Sequence, residues 1–189
     1  NLDLLNKKNK YIAFAGIGIP MNFYKTLTNN GLNIIKFLEY PDHYDYSYND
    51  IEKSKELINA HSEDLACLIM EPVISGLGYL PLDQNFLQFT RDITNELDIV
   101  LIYDEIQSYR LAPGGAQEIF GITPDMTALG KIIGGGLPVG AFGGKEEIME
   151  ILNPSSNNYK LSHAGTFNGN PLTMEAGAAV MSTLTKDKY

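Results

Sequence analysis

Apolar residues recur along this chain in two rhythms. KYIAF, Lys10 to Phe14, is a short apolar run ending in the turn signal GIGIP, and predicts a strand. MNFYKTLTNNG follows with Phe23 and Leu27 on one helical face and Gly31 as its stop. LNIIKFLEY predicts a second strand. From Asp50 the alternation becomes regular. DIEKSKELINAH is a helix with Ile51, Leu57 and Ile58 as its apolar positions. LACLIM is a continuous apolar run and predicts a strand buried on both faces. NFLQFTRDITNEL spaces Phe86, Phe89, Ile93 and Leu97 by three or four, and IVLIY is another buried strand. Strand, helix and strand in this order imply a right-handed crossover and a parallel sheet, the α/β class. VGAFGG is a further strand, and KEEIMEIL and PLTMEAGAAVMSTLT are helices, the second with Pro171 in its first turn.

Between the early and the regular parts lies PDHYDYSYND, rich in Asp, Tyr and Asn, and a boundary is placed there. Composition adds limits. The 189 residues are 44% hydrophobic and 20% charged, which is ordinary for a globular protein. A net charge of -9 argues against nucleic acid as partner. The single cysteine, Cys67, excludes a disulfide framework, reads as a small buried hydrophobe and fits a reducing cytoplasm. No apolar run is long enough to span a membrane. The first residue is not methionine and the last five are TKDKY, so a fragment is expected.

TALGKIIGGG, Thr127 to Gly136, invites a phosphate-loop reading, which fails. A Walker loop needs glycine five places before the Gly-Lys pair and a hydroxyl after it. Those positions hold Asp125 and Ile132. Two acids stand directly after predicted strands, Glu71 after LACLIM and Asp104 after IVLIY. Ligands of parallel sheets bind beyond the carboxyl ends of strands. Each acid alone is equally a solvated loop residue or a helix cap. Asp104 taken with Lys131 suits pyridoxal phosphate. That cofactor needs a lysine for its Schiff base and an acid for its pyridine nitrogen. The glycines after Lys131 allow a tight turn.

DEIQSYRLAPGGAQEIFGITPDMTALGKIIGGGLPVGAFGGKEEIME and HAGTFNGNP resemble the class III aminotransferase family, most of all its glutamate-1-semialdehyde aminomutase branch. The resemblance spans residues 49–189. It implies part of the large domain of the fold type I pyridoxal-phosphate enzymes, a mostly parallel sheet with flanking helices, and a homodimer acting on a small amino donor and acceptor without a metal. Lys131 would form the Schiff base. Asp104 would pair with the ring nitrogen, Ile106 would pack on the ring face, and Gln107 and Glu71 would lie near the cofactor. Gly165 and Thr166 would bind the cofactor phosphate across the subunit interface. This chain departs from the branch in three places. Gly76 stands where asparagine is usual, DEIQSYR is one residue short, and Gln107 replaces a methionine. The family's upstream phosphate loop, its ring-stacking aromatic and its C-terminal small domain find no counterpart. The chain alone is therefore expected to be inactive, or a non-catalytic remnant.

Residues 1–48 resemble instead the C-terminal part of the lipid A tetraacyldisaccharide kinase family, through AFAGIGIPMNF and PDHYDY. Asp42 and His43 would match that family's Asp-His pair, though a cap and a surface histidine explain them equally. The implied seam lies in YNDIEK, Tyr48 to Lys53. Kinase activity is not expected, because the kinase P-loop has no counterpart here.

Overall fold

The protein is described here as a computed structural model covering residues 10–15, 20–29, 31–39, 48–157 and 161–184. Asp42 and His43 lie outside the described residues. The chain divides into two compact units. One comprises Asn1–Leu68 and Ile74–Ile99, the other Ile69–Val73 and Val100–Tyr189.

The first unit opens with β1 (Lys10–Ala15), α1 (Pro20–Asn29) and β2 (Asn33–Glu39). β1 and β2 pair in parallel, as a strand–helix–strand crossover requires. Gly31 ends α1 with a φ of 80°, and its amide donates to the Thr28 carbonyl at 2.8 Å. α2 (Tyr48–Ala60) starts two residues before the predicted helix, so the sequence YNDIEK is one continuous helical stretch. α3 (Gln84–Glu96) is capped by Asp83, whose carboxylate accepts from the Asn85 and Phe86 amides. Ile58, Ile93 and Ile99 form the core, with Leu65, Leu68, Phe89 and Leu97 packed on it.

The buried face of α3 differs from the predicted one. Leu87, Thr90, Ile93 and Thr94 are buried, while Phe86, Phe89 and Leu97 are half-buried. Threonine can take a core position on a helix because its hydroxyl bonds back along the chain. Thr90 donates to the Leu87 carbonyl at 2.7 Å and Thr94 to the Thr90 carbonyl at 2.6 Å. A hydrophobicity pattern does not register that option.

LACLIM is likewise corrected. Its strand, β3 (Cys67–Met70), is half-buried rather than covered on both faces, and Ile69 is 52% exposed. Cys67 is half-buried, and the burial it has pushes its thiol above the ordinary 9.0. The two-residue strands β4 (Val73–Ile74) and β5 (Leu80–Pro81) pair with one another.

The second unit holds the sheet that matters for chemistry. β6 (Val100–Asp104), β7 (Met126–Gly130) and β8 (Gly140–Gly144) follow β3 in the order β3-β6-β7-β8. β6 and β7 are parallel, with Asp104 opposite Ala128. β8 returns antiparallel to β7. Leu101 and Tyr103 of β6 are fully buried. α4 (Ala116–Phe120) links β6 to β7. KEEIMEIL forms only the single turn α5 (Glu146–Met149) and a 3-10 turn after it. α6 (Pro171–Thr183) has Pro171 in its first turn, and Asn170 caps it by accepting from the Thr173 amide.

Candidate active site

β6 and β7 run side by side in parallel, so their carboxyl ends lie at the same edge of the sheet, β7 running two residues past the Ala128 that pairs with Asp104. Asp104 closes β6, and its Oδ1 accepts from the Ile106 amide at 3.0 Å. That local bond turns the chain out of the strand immediately after the carboxylate. Ile106 then packs over the end of β7. A Cβ added at Gly130 would meet Ile106 Cγ2 at 3.4 Å, so glycine there lets the isoleucine sit against backbone.

Lys131 follows Gly130 at once and is held at a φ of 49°, a conformation uncommon for residues other than glycine. Strained backbone at one residue has to be imposed by its surroundings. The glycines that follow bring this turn against α6. Gly135 has a φ of 61°, and a Cβ on it would overlap the Ala176 carbonyl of α6. A Cβ on Gly177 of α6 would overlap the Ile133 carbonyl oxygen. The turn KIIGGG and α6 thus touch backbone to backbone. Gly135 permits close helix packing against the lysine turn, and Gly134 faces Val139 instead.

Ile106, Gln107, Arg110, Lys131 and Ile132 enclose a small cavity of about 50 Å³. A broader hollow of about 620 Å³ adjoins it, sharing Arg110, Lys131 and Ile132 and extending to Leu137, Val180 and Leu184. Of the residues singled out from sequence, Lys131, Ile106 and Gln107 are therefore brought together. Asp104 is two residues from Ile106 on the same turn but lines neither hollow. Glu71 lies in the connection after β3, half-buried, and also lines neither. Gly165 and Thr166 are exposed, at a turn where the Asn168 amide donates to the Gly165 carbonyl. The neighbouring His163 meets Phe142 of β8 edge-on, ring centres 5.4 Å apart.

Sequence reasoning missed Arg110 and Glu105. Arg110 follows Gln107 by three residues at the 3-10 turn Ser108–Leu111, a spacing that stacks side chains on one face. The string DEIQSYR held that signal. Glu105 is fully buried beside Asp104, although a charged residue next to a charged residue reads as surface.

The donor set fits pyridoxal phosphate by its chemistry. An amine, a carboxylate at the neighbouring strand end and an aliphatic face match an aldehyde, a pyridine nitrogen and a flat ring. Among the described residues no cluster of three metal-binding side chains occurs, and no helix is long and apolar enough to cross a membrane.

Solved structures similar to this chain include transaminases. An omega-transaminase from Sphaerobacter thermophilus superposes with a TM-score of 0.71 at 44% identity, covering 80% of this chain and 33% of that one. A transaminase with PLP bound superposes at 0.76 with 28% identity, covering 96% of this chain and 45% of that one. The fold is thus a part of the pyridoxal-phosphate transaminase fold.

The family is then settled by sequence: aminotransferase class-III matches residues 15–189, and the chain belongs to that family. The glutamate-1-semialdehyde 2,1-aminomutase of Methanococcoides burtonii is 46% identical over 173 residues, 91% of this chain and 36% of that protein. The enzyme of the same name from Citrifermentans bemidjiense is 51% identical over 144 residues, 76% of this chain and 33% of that protein. The chain spans about a third of the length of these curated relatives. The kinase likeness of residues 1–48 is not shown by these matches, since the aminotransferase match already begins at residue 15.

Proposed function

We propose that this chain carries the lysine-bearing part of a pyridoxal-phosphate aminotransferase or aminomutase of the glutamate-1-semialdehyde type. The observation that supports it is Lys131, held in a strained turn at the end of β7 and lining one cavity with Ile106 and Gln107, beside the end of β6. Lys131 Nζ is the attachment point and, as a free amine, the group that moves a proton at the substrate α-carbon. Asp104 would pair with the ring nitrogen and keep it protonated. Ile106 would pack on the ring face, and Gln107 and Glu71 would lie near the cofactor. Gly165 and Thr166 would bind the phosphate from a second copy, the working unit then being a homodimer, and the cytoplasm its compartment. When bound, the cofactor supplies an electron-withdrawing ring that takes up the charge of the reacting carbon.

The test is covalent mapping. Pyridoxal phosphate is added to the purified chain, reduced with borohydride, and the modified peptide is located by mass spectrometry. The expected result is a pyridoxyl group on Lys131 and none in Lys131→Ala. Adducts scattered over other lysines in both proteins would overturn the assignment.

A further inference from the structure

We propose that Glu105 is a positioning residue that, through Gln117 and Thr127, locks the strand end bearing Asp104 and Ile106 to the strand that ends at Lys131. Glu105 is completely buried, and burying a carboxylate is costly unless its oxygens are satisfied. Here both are. Oε2 accepts from the Ser108 hydroxyl at 2.9 Å and the Ala116 amide at 2.6 Å. Oε1 accepts from the Gln117 amide at 3.0 Å and from Gln117 Nε2 at 3.1 Å. The segment from Ser108 to Gln117 is thereby folded around one carboxylate. Gly115 is needed for this: its φ is 78°, and a Cβ there would lie 2.7 Å from Oε2.

The same network reaches across to β7. Gln117 Nε2 also donates to Thr127 Oγ1 at 3.2 Å. The Glu105 amide donates to the Ala128 carbonyl at 3.0 Å. Side chain and backbone of one residue therefore tie β6 to two successive residues of β7. Asp104, the last residue of β6, and Ile106 flank that residue, and Lys131 lies three residues beyond Ala128, just past the end of β7. A buried hydrophobe at 105 could fill the space, but it could neither gather these donors nor reach Thr127 through Gln117. The consequence for Lys131 rests on the function proposed above; the lock itself does not.

Two mild variants test it, since Glu105→Gln could fail to fold. Thr127→Val keeps the shape and removes the acceptor. Gln117→Ala removes the bridge and leaves the backbone amides. Amide hydrogen exchange in the full chain, without cofactor, is read at Glu105 and Ile106, with Leu101 of the same strand as reference. The expected result in both variants is exchange about fivefold faster at 105 and 106, the factor for one lost net hydrogen bond, with Leu101 unchanged. No change, or equal acceleration at Leu101, would overturn the proposal, the latter showing a merely structural role. Borohydride mapping is then repeated, and the share of adduct on Lys131 should fall by a similar factor. An unchanged share alongside locally faster exchange would overturn the link to the lysine. If the unmutated chain shows no selective Lys131 adduct, the proposed function fails, and the exchange data still decide the lock.

Discussion

Asp125 begins the turn into β7 and is buried. Its Oδ2 accepts from the Leu101 amide at 2.7 Å, and its Oδ1 meets Lys145 Nζ at 2.7 Å. The two contacts differ in worth. The Lys145 side chain is 47% exposed, so water screens the ion pair and it contributes below about 1 kcal/mol. Leu101 is fully buried, and its amide, left without an acceptor, would cost about 1–3 kcal/mol. Asp125→Ala removes both contacts and should destabilise by about 1–4 kcal/mol. Asp125→Asn keeps an acceptor for Leu101 and loses only the charge, so about 1 kcal/mol or less is expected. Lys145→Ala should cost about 1 kcal/mol or less. Urea midpoints followed by far-ultraviolet circular dichroism give the order, with amide exchange at Leu101 as the local readout. If Lys145→Ala proves as harmful as Asp125→Ala, the ion pair dominates and this reasoning is refuted.

Two further outcomes follow from the same kind of argument. Gly177→Ala should lower thermal stability, although alanine favours an open helix by about 1 kcal/mol, because overpacking against the Ile133 carbonyl costs about 1–3 kcal/mol; a raised midpoint would contradict the contact. Burial raises the Cys67 thiol, so its alkylation by iodoacetamide should be slower in the folded chain than in urea, with a pH midpoint above 9.0. The folded state favours the protonated thiol, so the small stability it confers is lost as pH climbs past the unfolded thiol's range. Equal rates in both states would show that the thiol is not shielded.

The sequence announced β1, β2, β3, β6, β8 and most helices because their apolar runs and caps are local signals, but not the short β4 and β5 or β7, the strand that ends before Lys131. Lys10–Phe14, IVLIY and Pro171 needed nothing from elsewhere in the chain. Lys131 was visible through its glycines, although the reason for them was not: Gly135 and Gly177 are 42 positions apart in sequence and meet only in space. The same blindness hid Glu105. Its value depends on Ser108, Ala116 and Gln117 folding back, and no periodicity encodes that. The exposed Ile69 shows the opposite failure, since an apolar run reports what a strand could bury and not what covers it. The antiparallel return of β8 was equally silent, as direction is set by the length and path of the turn before it.

The contact between α6 and the lysine turn also sets where this chain can change length. Asn170 fixes the start of α6, and Gly177 meets Ile133 seven residues on, about 10 Å along the axis. One residue inserted between them would rotate the glycine by about 100° and bring a side chain against the carbonyl. The helix therefore behaves as a gauge cut to one length, linking the Gly165–Thr166 turn to the position of Lys131. Related sequences should vary in length around Asn153–Asn157, where the chain runs through exposed turns, and keep a constant count from Asn170 to Gly177.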